Sequence, residues 1–133
     1  MGLAAVVTWV IAAGFGAYLL YLWLSGGGLR QQATKVTRFP TTLIFSHPTL
    51  AVSALACWAG FLVTGQRLLA WTAFGVLAVA ALLGFTMFTK WLGAGRHARG
   101  RGAEGRFPVL AVALHGLAGV TTFILALLAA TQI

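Results

Sequence analysis

Apolar residues fill four long stretches of the chain, and polar and basic residues are confined to the segments between them. The stretches cover residues 3–24, 43–64, 68–89 and 109–130, and none of them contains a charged residue. A helix needs about 20 mostly apolar residues to cross a bilayer. Lipid also forces a crossing segment to satisfy its own backbone hydrogen bonds. The pattern therefore predicts an all-α, four-helix transmembrane bundle that forms one domain over residues 1–133.

A short signature occurs twice in the chain, and its two copies lie 68 positions apart. Arg38-Phe39-Pro40 precedes His47, and Arg106-Phe107-Pro108 precedes His115 at the same spacing. The same offset aligns further identical residues without a gap: Ala12 with Ala80, Ala13 with Ala81, Gly16 with Gly84, Trp23 with Trp91, Leu24 with Leu92, and Val52 with Val120. These coincidences indicate an internal repeat.

An internal repeat of this length predicts how the four helices are grouped. It divides the chain into two tandem helical hairpins, at about 6–65 and 74–133, and such parallel repeats predict a pseudo-twofold axis along the membrane normal. The alternative is recurrent chemistry at helix starts, where proline and basic residues are common. Both copies run the same way through the membrane, so the two histidines are expected at the same depth.

The charged residues predict how the bundle is oriented. Nine Lys and Arg residues stand against one acid, Glu104, which gives a net charge of +8. Eight of the nine lie in two of the three connecting segments: Arg30, Lys35 and Arg38 in the first, and Lys90, Arg96, Arg99, Arg101 and Arg106 in the third. Positive loops stay cytoplasmic, so both termini are expected outside. The composition is typical of a bacterium with a GC-rich genome, which suggests a multi-pass protein of the bacterial cytoplasmic membrane.

The same charge bears on partners. Basic residues beside membrane spans contact anionic headgroups, so membrane lipid is the expected partner. The sequence has no nucleic-acid recognition motif, and nucleic acid is not predicted as a partner. Trp23 and Trp91 are predicted to be interfacial anchors. The Gly- and Arg-rich segment 93–105 is predicted to be mobile, with His97 solvated.

His47 and His115 are the candidate metal-ligating residues. If Pro40 and Pro108 begin their helices, each imidazole lies about 10 Å inside a span. An ionisable residue at that depth marks a functional site by default. The iron of haem b accepts an imidazole on each axial face. The pair therefore predicts one bis-histidine haem b between the second and fourth spans, although a hydrogen bond to a helix carbonyl explains a single histidine equally well.

Other residues are assigned to the same cofactor site. Gly16 and Gly84 are expected to permit close backbone approach to the porphyrin. Arg38 and Arg106 are expected to bind the haem propionates, because guanidinium matches carboxylate geometry. Four aromatic residues are expected to line the ring: Phe45, Trp58, Phe85 and Phe123.

These residues resemble the cytochrome b561-like group of membrane cytochromes. The resemblance rests on His47-Pro48 at the opening of one helix and on His115 in a parallel helix. It implies four helices around haem b and electron transfer across or along the membrane. The chain departs from the eukaryotic pattern, in which four histidines bind two haems, because its first and third spans contain no histidine. At most one bis-histidine haem is therefore possible. The candidate redox partners are a quinol, a reductase or a larger respiratory membrane complex, and the resemblance does not choose among them.

Two other function classes stay open. A non-catalytic accessory subunit would use the histidines structurally. A metal or solute transporter is disfavoured, because no carboxylate lies within a span and two imidazoles alone are a poor zinc site unless a homo-oligomer doubles them. Enzyme catalysis lacks a candidate set of residues, since Glu104 is the only acid. An electron carrier is accordingly favoured over a catalyst.

Overall fold

The computed structural model describes residues 1–94 and 102–133, and within these residues it is all-helical. Its α-helices are α1 (Gly2–Ser25), α2 (Gly28–Thr34), α3 (Thr41–Thr64), α4 (Arg67–Ala94) and α5 (Val109–Thr131), with a 3₁₀ helix at Ala103–Arg106. Four of them, α1, α3, α4 and α5, are long and apolar enough to cross a membrane. The prediction of an all-α, four-helix bundle is confirmed.

Prolines and glycines set the ends of the long helices. Pro40 and Pro108 are extended, with ψ of 145° and 131°, and α3 and α5 begin at the next residue. Each proline thus immediately precedes its helix and is not the first helical residue. Gly65 ends α3 at a φ of 70°, and its N–H donates to the carbonyl of Phe61 at 2.8 Å. Glycine adopts this left-handed conformation without steric cost, which permits the tight turn into α4.

The four long helices form a closed square. Helix α1 packs mainly against α5, and α3 packs mainly against α4. Lesser contacts join α4 to α5 and α1 to α3. The helices therefore follow the order α1, α5, α4, α3 around the bundle, with every neighbouring pair antiparallel. Each of the two main contacts joins one predicted hairpin to the other, and α3 and α5 face one another across a diagonal.

Small residues make the helix contacts, and large apolar residues face outward. Buried alanines line the interior: Ala5, Ala12, Ala54, Ala70, Ala73, Ala80, Ala111, Ala126, Ala129 and Ala130. Small side chains let helix backbones approach closely, as is usual within membranes. Large side chains such as Leu68 and Val63 remain 75% and 86% exposed. An outer surface this apolar suits lipid rather than water.

The buried core is divided into two clusters along the bundle axis. The turn-side cluster includes Trp9, Trp58 and Leu77, near the α3–α4 turn. The loop-side cluster is built on Trp23, Phe39, Ile44 and Ala103, near the basic loops. The buried residues Ala12 and Ala80 belong to neither cluster and form a middle layer between the two. His47 and His115 lie in that layer.

Glu104 closes the loop end of the bundle. Its side chain is 2% exposed, and its carboxylate accepts hydrogen bonds from the Thr37 hydroxyl at 2.7 Å and the Arg38 N–H at 2.5 Å. The Trp23 indole donates to the Thr37 hydroxyl at 3.1 Å, and the Trp91 indole donates to the Glu104 carbonyl at 3.1 Å. We call these residues the Glu104 lock, because they join the two basic loops to α1 and α4.

The Glu104 lock corrects two predictions. Trp23 is fully buried in the loop-side cluster, so its assignment as an interfacial anchor was wrong. Its indole N–H finds Thr37 inside the protein instead of a lipid headgroup. Residues 102–105 of the predicted mobile segment are packed against the bundle through Glu104, and Gly93 and Ala94 of that segment belong to α4. The rest of that segment at 95–101, including His97, lies outside the described residues.

Removing the carboxylate of Glu104, the acceptor of the Glu104 lock, is expected to lower the stability of the fold. Glu104→Ala should lower the free energy of unfolding by about 1–3 kcal/mol, because the Arg38 N–H and Thr37 hydroxyl lose their partner. Thr37→Val should also destabilise the protein. Thermal unfolding in detergent, followed by circular dichroism, measures both effects.

The control is Thr121→Val, because the Thr121 hydroxyl is exposed and bonds only to Leu117 of its own helix. It should unfold like the wild type. A Glu104→Ala protein as stable as the Thr121→Val control would show that the lock contributes nothing.

Candidate functional site

The two histidines of the spans meet inside the bundle. His47 on α3 and His115 on α5 come from diagonally opposed helices, and both are partly buried. Their ring centroids lie 6.0 Å apart, with an angle of 81° between the ring planes. The structure thus brings together the pair that the repeated signature singled out.

Each imidazole is held by a backbone carbonyl of a neighbouring helix. Nδ1 of His47 lies 2.7 Å from the Ala80 oxygen on α4, and Nδ1 of His115 lies 2.8 Å from the Ala12 oxygen on α1. A carbonyl oxygen can only accept, so Nδ1 carries the proton in both rings. Nε2 of each neutral ring is then left with a lone pair, which is the state that binds a metal.

Gly16 and Gly84 lie against these rings. A Cβ atom added to Gly16 would lie 2.9 Å from Cε1 of His115, and one added to Gly84 would lie 2.8 Å from Cε1 of His47. Carbon atoms do not approach so closely, so any side chain at either position would displace an imidazole. The sequence predicted that both glycines belong to the site, where they were expected to approach the porphyrin. In the structure their neighbours are the histidine rings.

Arg38 and Arg106 share the loop end of the bundle. Both are exposed, and the Arg38 guanidinium lies beside Gly93 near the end of α4. Arg106 ends the 3₁₀ helix. Each arginine precedes its histidine by nine residues, of which about seven are helical, so the histidines lie about 10 Å further along the axis.

The four aromatic residues expected around a cofactor do not gather at one site. Trp58 and Phe123 belong to the turn-side cluster, and Phe45 packs against the loop-side cluster. Phe85 is 66% exposed on the outer surface. The expectation that all four line one ring was wrong for Phe85, because helical rotation turns position 85 away from the bundle axis while the adjacent Gly84 faces it.

The donor set fits a metal held between two imidazoles. Metal–nitrogen bonds of about 2 Å each, together with two imidazole radii, place the ring centroids about 6 Å apart. The observed separation is 6.0 Å. A ligating histidine typically donates its other N–H to a carbonyl or carboxylate, as both rings do here. The described residues contain no group of three or more His, Cys, Asp or Glu side chains that could hold a metal ion.

Ala12 and Ala80 are the functional residues that the sequence reasoning missed. They entered only as aligned positions of the repeat, because a backbone carbonyl carries no signature of its own. A signal was nevertheless present. Ala12 precedes Gly16 by four residues, and Ala80 precedes Gly84 by four, which is the spacing that stacks two residues on one helical face.

Neither sequence nor fold provides a relative from which a function could be transferred. Comparisons of the chain with protein-family models, with curated proteins and with solved structures found no match.

Proposed function

We propose that this protein is a haem b-binding electron-transfer protein of a membrane, with His47 and His115 as the two axial ligands of one haem. The observation that carries the proposal is the histidine pair itself. Its ring separation of 6.0 Å suits one shared metal, and both Nδ1 atoms are engaged by carbonyls, which leaves both Nε2 atoms free to ligate. The divided apolar core supports it, since the histidines lie between the two clusters.

The residues of the chain have distinct tasks in this function. His47 and His115 hold the iron from opposite sides, and the Ala80 and Ala12 carbonyls keep each ring in the ligating tautomer. The turn-side and loop-side clusters exclude water from the middle layer. Arg38 and Arg106 would pair with the propionates. The haem, when bound, would supply reversible one-electron transfer, with a quinol or a membrane redox complex as the proposed redox partner.

The internal repeat and its twofold axis belong to the same proposal. His47 bonds to Ala80, and His115 bonds to Ala12. Shifting each residue by 68 positions, forward or backward, converts one bond into the other. The contacts of Gly84 with His47 and of Gly16 with His115 exchange in the same way. This reciprocity supports a duplicated hairpin whose two copies complete one another's histidine sites.

An accessory membrane subunit is the second candidate function. The observation that favours it is that each imidazole already makes an interhelical hydrogen bond, and such bonds hold membrane helices together without any cofactor. The two candidates differ in one respect. Only the haem protein needs the free Nε2 atoms.

Haem binding by both histidines is the first testable prediction of this function. The full-length protein, purified from cells supplied with a haem precursor, should show a Soret band that sharpens on dithionite reduction. A pyridine haemochrome assay should give one haem b per chain. His47→Ala and His115→Ala should each lose the six-coordinate, low-spin spectrum, because one axial ligand is missing.

The controls separate ligand loss from unfolding. His97→Ala removes the third histidine of the sequence and should leave the spectrum unchanged. Added imidazole should restore the low-spin spectrum of His47→Ala or His115→Ala if the fold is intact. A colourless wild-type protein would favour the accessory subunit. A low-spin spectrum that persists in either variant would disprove the ligand assignment.

The proposed location is the bacterial cytoplasmic membrane, with the basic loops in the cytoplasm and both termini outside. In a Cys57→Ser background, Gln66→Cys at the α3–α4 turn should react with a membrane-impermeant maleimide in intact cells. Lys35→Cys in the first basic loop should react only after permeabilisation. The reverse labelling pattern would invert the topology, and labelling of both sites in intact cells would contradict a membrane-spanning bundle.

A further inference from the structure

The two histidine contacts share one local design on α1 and α4. In an α-helix the carbonyl of residue i accepts the N–H of residue i+4, so Ala12 pairs with Gly16 and Ala80 pairs with Gly84. Each of these carbonyls has a second lone pair. The second lone pair of the Ala12 carbonyl accepts the Nδ1–H of His115, and that of the Ala80 carbonyl accepts the Nδ1–H of His47.

Glycine at i+4 is what leaves the carbonyl accessible. A helical side chain covers the turn on the N-terminal side of its own Cα, so a side chain at 16 or 84 would lie over the alanine carbonyl below it. The distances in the structure agree with this expectation. An added Cβ would lie 3.3 Å from Nδ1 of His115 at Gly16, and 3.2 Å from Nδ1 of His47 at Gly84. The ring occupies the space that a side chain would need.

Other glycines of the same helices do not share this feature. A Cβ added to Gly14 on α1 or to Gly75 on α4 would meet no atom within 4 Å among the described residues. Gly2 on α1 is closely packed as well, but a Cβ added there would lie 2.9 Å from Cδ2 of Leu62 and would meet no ring. The close fit against an imidazole is therefore found at Gly16 and Gly84, and it is not a general consequence of placing glycine in these helices.

We infer that Gly16 and Gly84 are positioning residues that aim the Nε2 atoms of His115 and His47, by exposing the Ala12 and Ala80 carbonyls to Nδ1. Each glycine acts on one histidine and through one carbonyl. The orientation of the two histidines therefore depends on residues of α1 and α4, although both histidines lie on α3 and α5. The consequence for haem rests on the proposed function, whereas the effect on the imidazoles does not.

The direct test is the tautomer of each histidine in the haem-free protein. Nitrogen-15 NMR of histidine-labelled protein in detergent, at a pH where the rings are neutral, distinguishes a protonated Nδ1 from a protonated Nε2. Assignment uses His47→Ala and His115→Ala. The wild type should show Nδ1–H for both rings. Gly16→Ala should change only the His115 signals, and Gly84→Ala should change only those of His47. The matched controls Gly14→Ala and Gly75→Ala should change neither.

A second readout applies to the protein with haem bound. Disturbing a residue that orients a metal ligand typically lowers metal affinity by 10–100-fold. Gly16→Ala and Gly84→Ala should therefore retain haem about 10–100-fold less tightly, with altered low-spin electron paramagnetic resonance g-values. Gly14→Ala and Gly75→Ala should match the wild type. If the wild type binds no haem but the NMR pattern holds, the proposed function fails and the positioning role stands.

Two results would overturn the inference. One is that wild-type signals persist for His115 in Gly16→Ala and for His47 in Gly84→Ala. The other is a failed rescue. It applies if Gly16→Ala does not accumulate in cells although its control Gly14→Ala does. The double variant Gly16→Ala/His115→Ala removes the ring that the new methyl group meets, and it should restore accumulation. Failure of this rescue would show that Gly16 acts on something other than His115.

Discussion

The hydrogen bond from each histidine Nδ1 to a backbone carbonyl is the interaction on which the middle of this bundle depends. A polar ring N–H buried away from water costs several kcal/mol unless it finds an acceptor. The apolar helices around His47 and His115 offer few acceptors besides main-chain carbonyls. The bonds to Ala80 and Ala12 meet that need. They also join α3 to α4 and α5 to α1, which are the two main helix contacts of the fold.

Burial away from water also explains the hydrogen bonds at the loop end of the bundle. Glu104 is the only acid of the chain, and its burial would be unfavourable without donors. The Thr37 hydroxyl and the Arg38 N–H supply them, and the Trp23 indole donates in turn to the Thr37 hydroxyl. Among the described residues, the exposed charged side chains of this end are then all basic.

The α1–α5 and α3–α4 contacts are related but not identical. Both contain an alanine carbonyl, a glycine and a histidine. The α1–α5 contact has an additional polar link, because the Thr122 hydroxyl donates to the Thr8 hydroxyl at 2.8 Å. The corresponding positions of the other contact are Ala54 and Val76, which pack by shape alone. The α1–α5 contact thus depends on polar residues at two levels and the α3–α4 contact at one.

Much of this architecture was determined by the sequence alone, because apolar length and charge placement are local properties. They predicted the four long helices to within a few residues, and the repeated signature predicted that His47 and His115 would meet. Only the tertiary structure decided what each group contacts. In the tertiary structure Phe85 faces outward, whereas Trp23 and Glu104 are buried. The carbonyls of Ala12 and Ala80 accept hydrogen bonds from the histidines. Such partners come from distant parts of the chain, and a backbone carbonyl is present at every residue, so the sequence marks the one that binds only indirectly, through a glycine four residues later.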